Sequence, residues 1–270
     1  MTLLQAAVLG LVQGMTEFLP VSSSAHLILV PRFLGWADQG LDFDIAAHLG
    51  TFVAVLIYFR RDVRRLVEGV LFGFRAGATP AERAAGRLGW WLVWATVPVA
   101  AAGLLLSHWI ETALRSPLVV AATSIGFGIL LAAADLLARR DRDLASLTPG
   151  DSLAIGVAQA LALVPGTSRS GITITAARLR GLDRETAARF SFLLSVPAGF
   201  LVAAKDLLDL TSGKIQAAQH APMLVGFLVS GISGYLVIGG LLAWLRRRTL
   251  LGFAAYRVAL GLAILFFGSS

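Results

Sequence analysis

Gln13-Gly14-Met15-Thr16-Glu17-Phe18-Leu19-Pro20-Val21-Ser22-Ser23-Ser24-Ala25-His26 lies in the middle of an apolar segment, 2–35, that is long enough to cross a bilayer yet is cut by a proline and a run of hydroxyls. Hydrocarbon offers no water to unpaired N–H and C=O groups. A break of this kind survives at membrane depth only where protein or a water-filled cavity surrounds it. A second apolar segment, 152–180, is broken in the same way by Pro165-Gly166-Thr167-Ser168-Arg169-Ser170-Gly171. Both segments read as re-entrant helix pairs, and both must line something.

The rest of the chain agrees with a membrane setting. Of 270 residues, 57% are apolar and 14% charged, and the mean hydropathy is +0.77, well outside the range of soluble domains. Six further stretches, at about 43–59, 89–108, 117–138, 186–210, 222–245 and 250–268, are each long enough to span. The expected fold is therefore an all-α integral membrane protein with six transmembrane helices and two re-entrant pairs. Gln5, Gln13 and Glu17 interrupt the first apolar run and no basic region precedes it, so no removable signal peptide is expected. The absence of cysteine excludes disulfides, thiolate metal sites and cysteine nucleophiles.

The net charge of +7 suggests basic loops rather than nucleic-acid binding. Arginines gather in 60–87 (seven), 139–142 (three), 178–189 (four) and 246–248 (three), whereas the intervening connections carry only Arg32, Arg115, Lys205 and Lys214. The Arg-rich set is expected on the cytoplasmic side. The two halves also resemble each other at an offset of about 146. Gly10-Leu11-Val12-Gln13 matches Gly156-Val157-Ala158-Gln159, Pro20-x-Ser22-Ser23 matches Pro165-x-Thr167-Ser168, and Phe43 matches Phe190. One transmembrane domain over 1–270, built of repeats at about 1–145 and 146–270, follows. Three spans per repeat invert the second half, so the two broken segments meet near the midplane from opposite faces.

Each break leaves backbone N–H groups at the start of its second half-helix, where the positive end of the helix dipole favours an anion. Ser22, Ser23, Ser24, Thr167, Ser168, Ser170 and Thr173 add hydroxyls, and Arg169 adds a planar cation suited to phosphate oxygens. The expected ligand is a phosphate or diphosphate. Gln13 and Glu17, four residues apart, share a helix face. They can place Mg²⁺ or Ca²⁺ through oxygen ligands, or Glu17 can act as a general base. A serine hydroxyl, His26 as acid or base, and Arg169 complete the parts of a phosphoryl-transfer site.

These two motifs resemble the signatures of the bacterial undecaprenyl-diphosphate phosphatases, the family associated with bacitracin resistance. The first fits Glu or Gln, three residues, then Glu; the second fits Pro-Gly-x-Ser-Arg-Ser-x-x-Thr, here ending at Thr173, and the likeness extends to Phe43–Gly50 and the span positions. The resemblance implies an inner-membrane hydrolase that converts a C55 isoprenyl diphosphate to the monophosphate carrier for cell-wall synthesis. It also implies divalent-cation dependence, a site opening toward the periplasm, an inverted repeat and a homodimer. Carried over by position, Ser23 is the nucleophile, Glu17 its base or a metal ligand, His26 a proton-transfer partner and Arg169 the diphosphate clamp. Gln13, Ser22, Ser24, Thr167, Ser168, Ser170 and Thr173 form the binding wall. Gln13 stands where many members have Glu, which weakens a two-acid metal site, and Ser24-Ala25 stands where Thr-Gly is frequent.

Plainer roles compete with each assignment. Serines in membrane helices often satisfy backbone carbonyls, His48 and His108 read as interhelical hydrogen-bond partners, and Arg246-Arg247-Arg248 and the 60–87 arginines as topology signals and anionic-lipid contacts. Intramembrane Glu17 and Arg169, by contrast, are functional by default. An inverted repeat with broken helices is also a carrier architecture, so a transporter or flippase for an anionic prenyl phosphate is the alternative. The set Glu17, Ser23 and His26 distinguishes the two, since a carrier needs no nucleophile.

Overall fold

The computed structural model describes residues 1–113, 116–138, 141–211 and 220–267, with side chains for all but 107–113, 205–211 and 267. Arg115, Arg139, Arg140 and Lys214, and the side chains of His108 and Lys205, lie outside the described residues. The described chain is helical: α1 Leu3–Phe18, α2 Ser23–Leu34, α3 Leu41–Tyr58, α4 Arg60–Phe72, α5 Pro80–Ala113, α6 Pro117–Leu137, α7 Pro149–Ala160, α8 Arg169–Leu179, α9 Arg184–Thr211, α10 His220–Leu245 and α11 Leu251–Phe267. Among these, α3, α5, α6, α9 and α10 are long and apolar enough to cross a membrane. The sixth expected span, α11, is apolar but has 17 residues, about 25 Å at 1.5 Å per residue.

Both broken segments form pairs of short helices. Of the four helices, α1 is the longest at 16 residues and α8 the shortest at 11, too short for a hydrocarbon core of about 30 Å. Two capping boxes start the pairs: Thr2 with Gln5 at α1, and Thr148 with Asp151 at α7. At each break one serine takes a left-handed backbone, Ser22 at φ 72° and Ser168 at φ 68°, the two non-glycine residues with positive φ among those described. The following hydroxyl repeats as well: Ser22 Oγ lies 3.3 Å from Ser24 Oγ, and Ser168 Oγ lies 3.2 Å from Ser170 Oγ. Both pairs dock through glycine. A Cβ on Gly10 would meet the Gly226 carbonyl of α10 at 2.9 Å, and one on Gly156 would strike the Ala95 backbone of α5.

The start of α7 and the end of α8 lie side by side. Asp151, in the first turn of α7, accepts from Arg180 Nε, just past the end of α8, at 2.6 Å and from Arg142 Nη2 at 2.6 Å. Burial works against the Asp151 carboxylate, but bonds from Arg142, Arg180 and Thr148 outweigh it and hold its pKa well below the usual range. A carboxyl held low contributes stability that is complete above about pH 4 and is lost as pH falls below that. Asp151→Asn is therefore expected to lower stability at neutral pH by about 1–3 kcal/mol, less than for a fully buried pair because both arginines are partly exposed. Thermal unfolding in detergent checks this, and the gap between variant and parent should narrow in acid.

The Arg-rich segments converge. Arg189 pairs with Asp62 at 2.8 Å, Arg246 with Glu185 at 2.8 Å and Arg184 with Asp135 at 2.6 Å. Part of the 60–87 stretch, read as a loop, is the helix α4. Its Val63 and Leu66 pack on the core, and Val67, Leu71 and Phe72 stay exposed, as in a helix lying along an interface. Above this end the core joins α8 and α9 to α1 and α3 through Ile174, Phe190, Phe192, Phe18 and Val55. Phe18 meets Phe192 edge-on at 5.4 Å. That contact fixes the end of α1, and with it the neighbouring Glu17.

Candidate active site

Glu17 occupies the last turn of α1, which stops when Leu19 turns extended ahead of Pro20. Its two oxygens divide their partners. Oε1 accepts from Arg169 Nη2 at 3.0 Å, and Oε2 accepts from Ser23 Oγ at 2.8 Å and from Gln13 Nε2 at 3.1 Å. The first two partners lie beyond the breaks: Ser23 opens α2 and Arg169 opens α8. The left-handed residue before each, Ser22 and Ser168, turns the chain so that both side chains converge on one carboxylate. Arg169 is steadied by the Ser191 carbonyl at 3.3 Å, and Ser170 Oγ donates to the Leu19 carbonyl at 2.9 Å, tying one break to the other.

A cavity of about 260 Å³ opens beside this cluster. Glu17 and Arg169 line it with His48, Thr51, Gln159 and Ser195, and its remaining wall is apolar, including Phe52, Val55, Val99, Leu163 and Val202. His48 Nε2 stands 3.8 Å from Glu17 Oε2. Sequence reasoning gave His48 the role of an interhelical hydrogen-bond partner and missed Gln159 and Ser195 as cavity residues. The signal that was present is an ionisable side chain within an apolar span.

The expected wall residues are divided. Gln13 sits against Glu17, and Ser22 and Ser24 are mutually bonded near it, Ser22 buried and Ser24 exposed. Ser168 Oγ caps α8 by accepting from Gly171 N at 3.1 Å. Thr173 is buried with its hydroxyl 2.7 Å from Ser191 Oγ, and Thr167 is wholly buried. Ser168, Ser170 and Thr173 brace the second break instead of lining the cavity, and Thr167 also lies off the cavity, its hydroxyl buried without a partner among the described residues.

His26 departs most from expectation. Its Nδ1 donates to the Ser22 carbonyl at 2.7 Å, which leaves Nε2 to accept from Tyr256 O–H at 2.6 Å. It lines a different, mainly apolar cavity with Val12, Leu19, Trp244 and Phe253. Both ring nitrogens are occupied away from Glu17, so the geometry does not give His26 the expected proton-transfer place. It holds the Ser22 turn that aims Ser23.

The donor set also disagrees with a protein-built cation site. Each Glu17 oxygen already faces an N–H or O–H, Arg169 is itself a cation at 3.0 Å, and Gln13 presents its amide nitrogen to the carboxylate. Gln13 Oε1 is a single buried oxygen without a donor, and no carboxylate oxygen beside it is left unengaged to anchor a hard cation. Among the described residues no group of three His, Cys, Asp or Glu side chains is close enough to hold a metal ion.

Residues 6–263 match the family model described as bacitracin resistance protein BacA. The chain belongs to that family. Proteins named undecaprenyl-diphosphatase are similar to this BacA family member over nearly their whole length. The one from Magnetococcus marinus is 50% identical over 268 residues, covering 98% of each chain. The one from Trichlorobacter lovleyi is 49% identical over 98% of this chain and 97% of its own, and that from Alteromonas mediterranea 44% identical over 99% of each. Within this BacA site, a hydroxyl whose proton already points at a carboxylate 2.8 Å away, beside a guanidinium, has the makings of a nucleophile and an anion clamp.

Proposed function

We propose that this chain is a membrane phosphatase that hydrolyses undecaprenyl diphosphate to undecaprenyl phosphate and inorganic phosphate, returning the lipid carrier to cell-wall synthesis. The observation that carries the reading is the Glu17 carboxylate shared between the Ser23 hydroxyl and the Arg169 guanidinium, and the names of the relatives favour a hydrolase over a carrier. Without substrate, Glu17 and Arg169 neutralise each other. A diphosphate entering the cavity takes Arg169 from Glu17, and the carboxylate is released to accept the Ser23 proton as Oγ attacks the terminal phosphorus. The apolar wall from Phe52 to Val202 receives the first isoprene units. Phosphate release by purified protein from C15 and C55 diphosphates tests the reading, and no release from either would remove it.

The convergence of the basic segments supports placing that end in the cytoplasm of a bacterial inner membrane. In this arrangement the halves 1–145 and 146–270 are inverted copies, and the site opens to the periplasmic side. Reporter fusions after Leu147 and after Gly35 should then score cytoplasmic and external respectively.

Divalent-cation dependence would come with the substrate, whose phosphate charge Mg²⁺ or Ca²⁺ would offset, since Glu17 and Gln13 are already engaged by hydrogen bonds. A chelator should abolish turnover and excess Mg²⁺ should restore it, while calorimetry on the substrate-free protein should detect no binding of Mg²⁺ below about 1 mM, the weak range expected without preformed carboxylate ligands. Tight binding to the free protein would contradict this.

A further inference from the structure

We propose that His48 is a catalytic residue, the group that protonates the leaving phosphate and then accepts a proton from the water that completes the reaction. The proposal rests on the phosphatase reading above and adds to it a residue that neither signature motif contains.

Three observations carry it. First, the ring is oriented and its tautomer fixed. His48 Nδ1 lies 2.8 Å from the Asp44 carbonyl, an acceptor only, so Nδ1 carries the proton. Nε2 is then the free nitrogen, 3.8 Å from Glu17 Oε2. Second, the side chain is accessible where a substrate would lie. It is 41% exposed, and it lines the same cavity as Glu17 and Arg169. His26, in contrast, has both nitrogens committed elsewhere. Third, the cavity is built to receive something polar. Gln159, 1% exposed, lines it with both amide atoms unpartnered among the described residues, and buried amides do not remain without partners when a site is filled.

Position decides which proton His48 moves. Phe52, one turn further along α3, begins the apolar wall expected to hold the isoprene chain. Arg169 and Glu17 stand at the polar end, with Ser23 joined to the cavity through Glu17. His48, 3.8 Å from Glu17 and one turn before Phe52, stands between these ends, which is where the bridging oxygen of a diphosphate held by Arg169 would fall. In the first step Ser23 Oγ forms a bond to the terminal phosphorus and its proton passes to Glu17. The bond from that phosphorus to the bridging oxygen breaks, and protonated His48 gives its Nε2 proton to the departing monophosphate. In the second step water attacks the phosphoserine, one water proton goes to Nε2 of neutral His48, and Ser23 Oγ recovers its proton from Glu17. Phosphate leaves, and both side chains return to their starting states.

The charged groups facing His48 are Glu17 from α1, Asp44 from its own helix and Arg169 from α8. The α5 and α9 residues that line the cavity are uncharged, and α10 carries no Asp, Glu, Lys or Arg.

The test uses His48→Gln and His48→Ala in the full-length protein, purified in detergent and checked for folding by thermal unfolding, with polyprenyl diphosphate as substrate. The kcat should fall by about a hundredfold or more, within the usual range for losing a general acid–base group, while KM stays within about threefold, as when a group acts mainly in the transition state. Imidazole should restore at least about tenfold of the loss in His48→Ala, and the alkaline limb of the kcat profile should disappear in His48→Gln. If His48→Gln keeps more than half of the parent kcat, the proposal is overturned. It is equally overturned if activity is lost with an unchanged pH profile and no imidazole rescue, since that is the signature of a packing role. If one variant does not fold, the pH profile of the other decides. Failure of the parent protein to release phosphate would instead remove the phosphatase reading on which the proposal rests.

Discussion

Arg169→Lys is expected to lower kcat/KM for a polyprenyl diphosphate by about a hundredfold to a thousandfold, nearly as much as Arg169→Ala. Charge is conserved in the lysine variant, so an anion clamp that worked by charge alone would be almost untouched. Arg169 does more than carry charge. One nitrogen faces Glu17 Oε1 at 3.0 Å while the other donates to the Ser191 carbonyl at 3.3 Å. The plane of the guanidinium is thereby set before substrate arrives, and a diphosphate replacing Glu17 meets a fork already aimed. A lysine ammonium on a flexible stem reaches one acceptor and leaves the rest of the geometry open. The loss of two charge-assisted bonds in the transition state amounts to about 3–4 kcal/mol, which sets the expected factor. Steady-state phosphate release checks it. Retention of more than a third of the parent kcat/KM in the lysine variant would mean that the clamp is electrostatic and unoriented.

The parts of this site that were legible in the sequence are those in which composition contradicts the solvent. Pro20 and Pro165 within apolar segments announce broken helices, and Glu17 and Arg169 within the same segments announce functional charges, because hydrocarbon penalises each feature unless something offsets its cost. Two kinds of information were hidden. Helix phase after a left-handed residue is one: Ser22 at φ 72° redirects α2 so that Ser23 faces Glu17 while His26 faces Tyr256, and no periodicity count carries across such a turn. Contacts between distant helices are the other, and His48 reaches Glu17 only because α3 packs beside α1. The helix α4 was masked by its own arginines, which drew attention to charge when Val63 and Leu66 were supplying the buried stripe. Most of the hydroxyls around the second break meet protein partners for a related reason. In lipid, a buried hydroxyl near a break serves first to satisfy the backbone that the break exposes, as Ser170 does for Leu19 and Ser168 for Gly171.

That distinction gives the Ser23 and Glu17 variants their value as a pair. Ser23→Ala should reduce kcat by about 10⁴-fold if Oγ is the attacking atom, and Glu17→Gln by about 10³-fold through loss of the base. The order of effects matters more than either size. Were water the nucleophile, Glu17 would still be needed to deprotonate it, but Ser23 would be only a donor to Oε2, and its removal would cost the tenfold or so expected of one hydrogen bond. The 2.8 Å contact of Ser23 with Glu17 is shorter than that of Gln13 to the same oxygen, 3.1 Å, and hydroxyl is the better nucleophile of those two donors, so the serine variant is expected to be the more severe. Single-turnover reactions quenched in acid should trap phosphoserine at position 23 in Glu17→Gln if any residual turnover survives, and none in Ser23→Ala. A Ser23→Ala variant with near-normal turnover would transfer the attack to water and leave Glu17, Arg169 and the cavity in their assigned places, because Arg169 and Gln13 still hold the carboxylate when the serine hydroxyl is gone.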